Sequence, residues 1–485
     1  MRKAAAAAII FILMFSTVTP VFAGVPFQGY VYNFWAFTVP APAAYIPVSS
    51  VSARDIDPSL GSFNQPSDVR TDINGYIYVL DSWNNRIVIF DRELNLNRVI
   101  TGFYNDGVFD TFGRPQGFFI TDELYMFIAD TDNRRVVVLD QNDNLVRFIE
   151  NPQGTIIPDD FDFVPLSVLV GRGDVVYVIA RHIFQGIMVF DPYGNFRGYF
   201  GTIEVVTNPI DLIWRIFSTA AQRARQRLFI PTEFMSMDID KYGFIFTTHH
   251  NELDGNLVMR LNPRGEDVLL NLNPNVYIIG DVNYRMIGPL SGPSTFVDIV
   301  ARPYGKYSAL DNTRGRVYTY DSEGNLLYVF AGTGNIGGMI HQPVAIETLG
   351  DEILVLDGRR GHLLFFEPTI YGRLINEAVA LLYMNDEAGA VEKWRELIAL
   401  DEHFSLAFAG IGRAHFVSGE YRLAMDYLRR GMDMRYYSLA FIRHRNVVMR
   451  ESLTVVLTVM MAAIALLILY KIYGLVQRIR LGQVW

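Results

Sequence analysis

The stretch YIYVLDSWNNRIVIFD, residues 76–91, decides how this chain is read. Ile77, Val79, Ile87 and Ile89 alternate with Tyr78, Leu80, Val88 and Phe90 in two short runs, and β-branched and aromatic residues at period two mark strands with two distinct faces. Between the runs, Asp81, Asn84 and Asn85 carry short Asx side chains that satisfy turn backbone and tolerate left-handed geometry. Upstream, PSDVRTD runs into Asn74-Gly75, a dipeptide suited to a tight hairpin. Downstream, LNRVI supplies a fourth run. One unit is therefore a four-stranded antiparallel meander.

The unit recurs. A second copy reads LYMFIADTDNRRVVVLD after the lead-in GRPQGFFIT, and a third VVYVIARHIFQGIMVFD after FVPLSVLV. The fourth begins MSMDIDKYGFIFTTHHN, the fifth STFVDIVARPYGKYSALDNTRGRVYTYD, and the sixth HQPVAIETLGDEILVLDGRRGHLLFFE. Asp81, Asp130, His249, Asp311 and Asp357 occupy one position of the hairpin, with Ala180 there in the third copy. Undisturbed copies are about 46 to 50 residues apart, the period of a propeller blade. A blade cannot cover both of its faces alone, so neighbours stack and the ring closes. The fold expected is mainly β, a six-bladed propeller, followed by helices.

These copies resemble the NHL repeat, with a Pro-x-Gly lead-in, an apolar strand ending in Asp, and Asn-x-Arg before the next strand. Asp81-Ser82-Trp83-Asn84-Asn85-Arg86 and Asp130-Thr131-Asp132-Asn133-Arg134-Arg135 match that pattern, and Asp311 to Arg316 match it partly. The resemblance spans roughly Ser59 to Thr369 and speaks for fold rather than activity. The order of parts, with the phrases GYVYNFWAFTVPAPAAYIP, GFIFTTHHN, FVDIV and YSLAF, is also similar to a group of bacterial membrane-anchored NHL-repeat proteins. That resemblance implies a membrane-protein neighbour, often an ABC-type solute (sugar) importer.

The 485 residues are half apolar and 19% charged, which suits two or more ordered domains. A net charge of −9 offers no basic face to a phosphate backbone, so nucleic acid is set aside as a partner. No cysteine is present, which excludes disulfides, thiolate metal sites and a cysteine nucleophile. Met1-Arg2-Lys3, the apolar run after it and Val21-Phe22-Ala23 form a secretory signal peptide over 1–23. Near the other end, Leu453 to Tyr470 carries no charge and at about 1.5 Å per residue nearly crosses a ~30 Å hydrocarbon core, giving a transmembrane helix over 450–473. An exported N-terminus then puts the tail 474–485 in the cytoplasm, in keeping with Lys471, Arg478 and Arg480, although Arg443, Arg445 and Arg450 flank the other side. The expected location is the cell membrane, single-pass, with the N-terminal domains extracytoplasmic.

The aromatic, Pro-rich segment 24–58 reads as an arm along the propeller side, or as a ligand platform of Tyr30, Tyr32, Trp35 and Phe37. Its run Val48 to Ile56 is expected to add a strand to the last blade and close the ring. Residues 59–370 form the propeller, interrupted at 208–227 by a helix with a basic end at Arg223, Arg225 and Arg227. From 371 to 449 the period changes to 3.6. Here Phe408, Ile411, Gly412, His415, Tyr421, Ala424, Leu428 and Gly431 resemble a tetratricopeptide (TPR) repeat, with Ala390, Trp394 and Leu397 in a degenerate earlier copy.

Trp83, Asn84, Arg134, Arg135, His249, His250, Arg314 and His341 fall in loops expected at one end of the ring, where aromatic and forked polar groups suit a saccharide or peptide ligand. The repeat-signature residues Asp81, Asp130, Asp311 and Asp357 each have a turn to hold. His182, His249, His250 and His341 would suit zinc if three converged, but no spacing motif joins any two. Gly332, Gly334, Gly337 and Gly338 lack the strand-to-helix setting of a phosphate loop and read as a flexible inter-blade loop. The reading is a membrane-anchored extracytoplasmic binding or scaffold protein with no catalytic residues, metal or cofactor. The alternative is a metal-dependent, lactonase-like or lyase-like enzyme.

Overall fold

A computed structural model describes residues 25–33, 35, 37–152, 161–201, 233–249, 257–269, 280–281 and 292–480. The segment expected as a signal peptide, the helix expected over 208–227, His250 and residues 481–485 lie outside the described residues.

The first blade is an antiparallel sheet of Asp68–Thr71, Ile77–Asp81, Arg86–Phe90 and Leu96–Ile100 in sequence order. Blades two and three repeat that order from inner strands Gly117–Ile120 and Pro165–Val170. Blade four has three described strands, starting with Phe234–Ile239. Blades five and six start with Phe296–Ala301 and Pro343–Leu349. The inner strands touch one another in cyclic order, the sixth against the first, so the wheel is closed and six-bladed.

Period two explains why it closes. In blade one, Val79, Val88 and Phe90 pack with Leu354, Leu356 and Phe365 of blade six. The alternate residues Tyr78, Leu80, Ile87 and Ile89 pack with Phe118, Ile128, Val137 and Leu139 of blade two. Each such side chain contributes about 1.5–3 kcal/mol when fully buried, and neither face can be buried without a neighbour.

Closure is made by a strand from the far end of the chain. Tyr45–Ser52 runs antiparallel to His362–Pro368 as the outer strand of blade six, pairing Val51 with Leu363. It starts three residues earlier than the sequence pattern indicated and gives way to the short helix Ala53–Ile56, where Ser52 and Asp55 form a capping box. Ahead of it, Tyr30–Tyr32 and Thr38–Pro40 form a hairpin on the outer strand of blade five. The arm therefore packs along the propeller side. Tyr30 and Tyr32 donate their hydroxyls to Asp281, at 2.6 and 2.7 Å, and are not free for a ligand, whereas Trp35 and Phe37 sit exposed near the hairpin tip. The glycine-rich segment between blades five and six is a structured turn rather than a flexible loop. Thr333 bridges Ile340, and the Arg360 guanidinium donates to the carbonyls of Met339 and Gly334, both at 2.8 Å.

Contacts divide the chain into two compact units, 1–373 and 374–485. The helices after the blades are Ile370–Tyr383, Glu387–Leu400, Ser405–Val417, Tyr421–Arg430 and Met434–Arg480. Trp394 is fully buried and stacks on Phe404. A Cβ on Gly412 would lie 2.6 Å from Leu428 Cγ, so glycine lets the third and fourth helices approach. The apolar run is not a separate element. It belongs to one 47-residue helix, about 70 Å long, that is long and apolar enough to cross a membrane.

Candidate recognition face and the buried polar hub

The signature aspartates are fully buried staples. Asp81 accepts hydrogen bonds from Asn64 N (2.7 Å), Asn84 Nδ2 (2.8 Å) and Arg86 Nε (2.7 Å). Asp130 does the same with Gly113 N (2.6 Å), Asn133 Nδ2 (2.9 Å) and Arg135 Nε (2.8 Å). Asp311 accepts from Thr295 N, Thr313 N and Ser294 Oγ, and Asp357 from the backbone of His341, Gln342, Arg359 and Arg360. Each carboxylate thus ties the segment entering its blade to the hairpin of that blade. Burial pushes the carboxyls of Asp130 and Asp311 upward, against hydrogen bonds that favour the charged form. Asp130→Ala is expected to cost about 3 kcal/mol, because Arg135 and Gly113 N lose their buried partner, and the urea midpoint reports it.

Seven of the eight loop residues lie among the described residues, and they divide by burial. Arg135 bonds Asp130 and Asp110 and lies 4.6 Å over the Phe148 ring. Arg314 is buried against Asp281 at 3.0 Å. His249 takes the Asp81 position of blade four and is buried edge-on to Phe234. These three therefore serve the interior. His341 is partly buried, its backbone N–H on Asp357. Asn84 is exposed, but its amide donates to Ser62 O and Asp81. Trp83, 49% exposed, and Arg134, paired with Asp162 at 3.0 Å, remain on the surface.

The connection between blades one and two holds a feature that the repeat pattern did not reveal. Gly102–Asn105 and Val108–Thr111 form a hairpin between blades one and two, with Tyr104 and Val108 68% and 70% exposed. The Tyr104 and Phe109 rings meet edge to face at 5.3 Å. The base is pinned where Asp110 meets Arg135 and where Asn133 Nδ2 donates to Thr111 O. Arg114 lies 5.6 Å over Trp83, donates N–H to Asn85 Oδ1 and pairs with Asp132. The signal was Asp106-Gly107 between aromatic residues, a turn dipeptide whose φ angles are both positive here.

At the centre of the ring lies a buried hub of Asp68, Arg70, Asp238, Asp298 and Glu347, drawn from blades one, four, five and six. Arg70 Nε is 3.5 Å from Asp68, and its Nη1 is 3.6 Å from Asp238 on the opposite blade and 3.8 Å from Glu347. The inner edge of each blade has backbone N–H groups that no ladder satisfies, and carboxylates supply acceptors. Asp68 accepts from Phe118 N of blade two, Asp238 from Ala301 N of blade five, and Asp298 from Ile346 N of blade six. Ser236 also donates to Asp298. Burial pushes all four carboxyls up, with Arg70 opposing it; Asp298 reaches about 7 and Glu347 about 8. The sequence did carry a sign of this, since charged residues interrupt otherwise apolar inner strands. Among the described residues, no three His, Asp or Glu side chains are placed to hold a metal ion.

In the helical unit, a cleft of about 530 Å³ is lined by Glu420 to Leu423, Asp426, His444 and Val447, with both signs of charge represented.

The family model of the NHL repeat matches residues 63–90, within blade one. No curated protein sequence matches the chain. Among solved structures, the chain is similar to a streptogramin B lyase at 11% identity and TM-score 0.38, covering 63% of this chain and 94% of that one. It is similar to virginiamycin B lyase from Staphylococcus aureus at 9% identity and TM-score 0.40, covering 66% and 99%. A protein of unknown function from Bacteroides thetaiotaomicron aligns at 11% identity and TM-score 0.40, covering 70% and 76%. Likeness of this degree transfers no activity. What stands on the chain's own pairing is that it is a six-bladed β-propeller with an NHL repeat in its first blade.

Proposed function

We propose that the protein is a membrane-anchored recognition scaffold, with its propeller on the extracytoplasmic side and a second membrane protein as partner. One observation carries the reading. Trp83 and the hairpin ridge of Tyr104, Val108 and Phe109 leave large apolar groups in water, and the ion pairs Arg114–Asp132 and Arg134–Asp162 are exposed as well. Aromatic anchors rimmed by polar pairs are what protein interfaces use. The apolar helix supplies the anchor, and the expected signal peptide supplies the side of the membrane. An ABC-type solute importer is the partner class that the sequence resemblance implies.

The metal-dependent hydrolase or lyase has no such support. In the hub, the Arg70 guanidinium already faces the carboxylates and would compete with a cation there.

Capture from solubilised membranes with full-length protein, wild type against Trp83→Ala/Phe109→Ala, tests the reading. A co-purifying membrane protein reduced roughly tenfold or more in the variant supports it, since paired hot-spot truncations cost a few kcal/mol. The same set of proteins captured by both forms would remove the ridge as the site. Binding of a saccharide array with no protein captured would replace the partner class.

A further inference from the structure

The long helix does not enter the apolar run directly from the helical unit. Its last anchor there is around Tyr436, Tyr437 and Ala440, which pack with Phe416, Ala424 and Leu428. From Phe441 to Ser452 it continues with little cover, and this stretch mixes arginines with apolar residues. Phe441 and Met449 are 48% and 60% exposed, and Ile442, Val447 and Val448 are exposed too. Arg443, Arg445 and Arg450 project among them, and among the described residues no carboxylate lies within ion-pair distance of any of the three. Arg443 and Arg450 are two turns apart and so share one side of the helix.

Helix rise fixes their depth. Arg450 and Lys471 are separated by about 31 Å at 1.5 Å per residue, which matches a hydrocarbon core of about 30 Å. Arg450 therefore lies at one boundary of the core when Lys471 lies at the other, and Arg443 and Arg445 stand about 8 to 10 Å farther out. That is the depth of phospholipid headgroups. Apolar side chains beside guanidinium groups that lack a carboxylate partner suit this layer, where the first reach the acyl boundary and the second meet phosphate.

We infer that Arg443, Arg445 and Arg450 form a collar that binds the headgroups of anionic phospholipids in the leaflet on the folded side of the helix. Guanidinium groups engage phosphate in two-point hydrogen bonds, and an acidic headgroup adds charge that a zwitterionic one lacks. The collar also accounts for basic residues on both flanks of the apolar run: the arginines on the first flank hold lipid, and orientation is left to the N-terminal signal. The inference rests on the membrane-spanning reading of this helix.

Full-length protein reconstituted into vesicles of phosphatidylcholine with a minor share of phosphatidylglycerol tests it by flotation, followed by mass spectrometry of the lipids that stay bound on gentle extraction. Phosphatidylglycerol should be retained in preference to phosphatidylcholine. Arg443→Gln/Arg445→Gln/Arg450→Gln should lower that preference roughly tenfold while still floating, and Lys471→Gln should leave most of it. Flotation with equal retention of the two lipids, or undiminished preference in the triple variant, overturns the collar and leaves the span standing. Failure to float overturns both.

Discussion

Arg70→Met is expected to destabilise the propeller by roughly 3–5 kcal/mol at pH 8, because breaking a buried charge cluster leaves its carboxylates uncompensated. The loss should shrink as the pH falls. Burial raises Asp298 from 3.8 to about 7 and Glu347 from 4.5 to about 8, and Arg70 is the main group holding both lower. Folded-state values above the unfolded ones mean that the stabilisation from bound protons is fully present below about pH 4 and is lost as pH rises through 7 to 8. Each titrating group contributes a slope of about 1.4 kcal/mol per pH unit within that window. Wild-type protein should therefore have a urea midpoint that declines from pH 5 to pH 8. In Arg70→Met the carboxyls rise further, so the decline should extend to higher pH and the gap from wild type should be smallest at pH 5. Asp298→Asn with Glu347→Gln should flatten the wild-type profile. A destabilisation by Arg70→Met that is equal at all pH values would show that lost packing, not charge, explains it.

Val51→Asp is expected to open the ring. Val51 is 3% exposed, pairs with Leu363 in the closing strand, and belongs to the core that blades one and six share. An ionised carboxylate there has no partner, which costs several kcal/mol. The strand joins the first blade's neighbour to a segment some 310 residues away, so its release frees a long stretch of chain at once. Hydrogen exchange should show amides of Leu363 to Phe366 losing protection first, followed by those of Val79 and Val88. Ser50→Asp is the control. Ser50 is exposed and meets His362 Nδ1 at 3.0 Å, so a carboxylate there should stay within about 0.5 kcal/mol of wild type. Loss of cooperativity in Val51→Asp but not in Ser50→Asp would identify closure as the origin of the ring's stability. Equal protection in both would mean that the inner-strand contacts suffice.

The signature aspartates were legible because their work is local: Asp81 and Arg86 lie five residues apart and meet at 2.7 Å. The exposed aromatic residues were half legible. Trp83 announced itself in the repeat, while Tyr104 and Phe109 sit in a connection that no repeat pattern describes. Arg135, Arg314 and His249 look like surface groups in sequence, but a guanidinium beside a turn aspartate is drawn inward when a neighbouring blade supplies a second acid, Asp110 for Arg135 and Asp281 for Arg314.

By itself, the sequence determined the repeating meander, the count of six blades, the position of each turn acid and the presence of one helix able to span a bilayer. All of these are short-range patterns of period two, of period 3.6 or of unbroken apolar length, and they need no partner to be read. Only the tertiary structure decided that Tyr45–Ser52 seals blade six, that Tyr30 and Tyr32 are held by Asp281, and that Asp68, Arg70, Asp238, Asp298 and Glu347 meet at one point. Apart from Asp68 with Arg70, those pairings join residues tens to hundreds of positions apart, and no local pattern specifies which distant strand or charge will be the neighbour until the ring has closed.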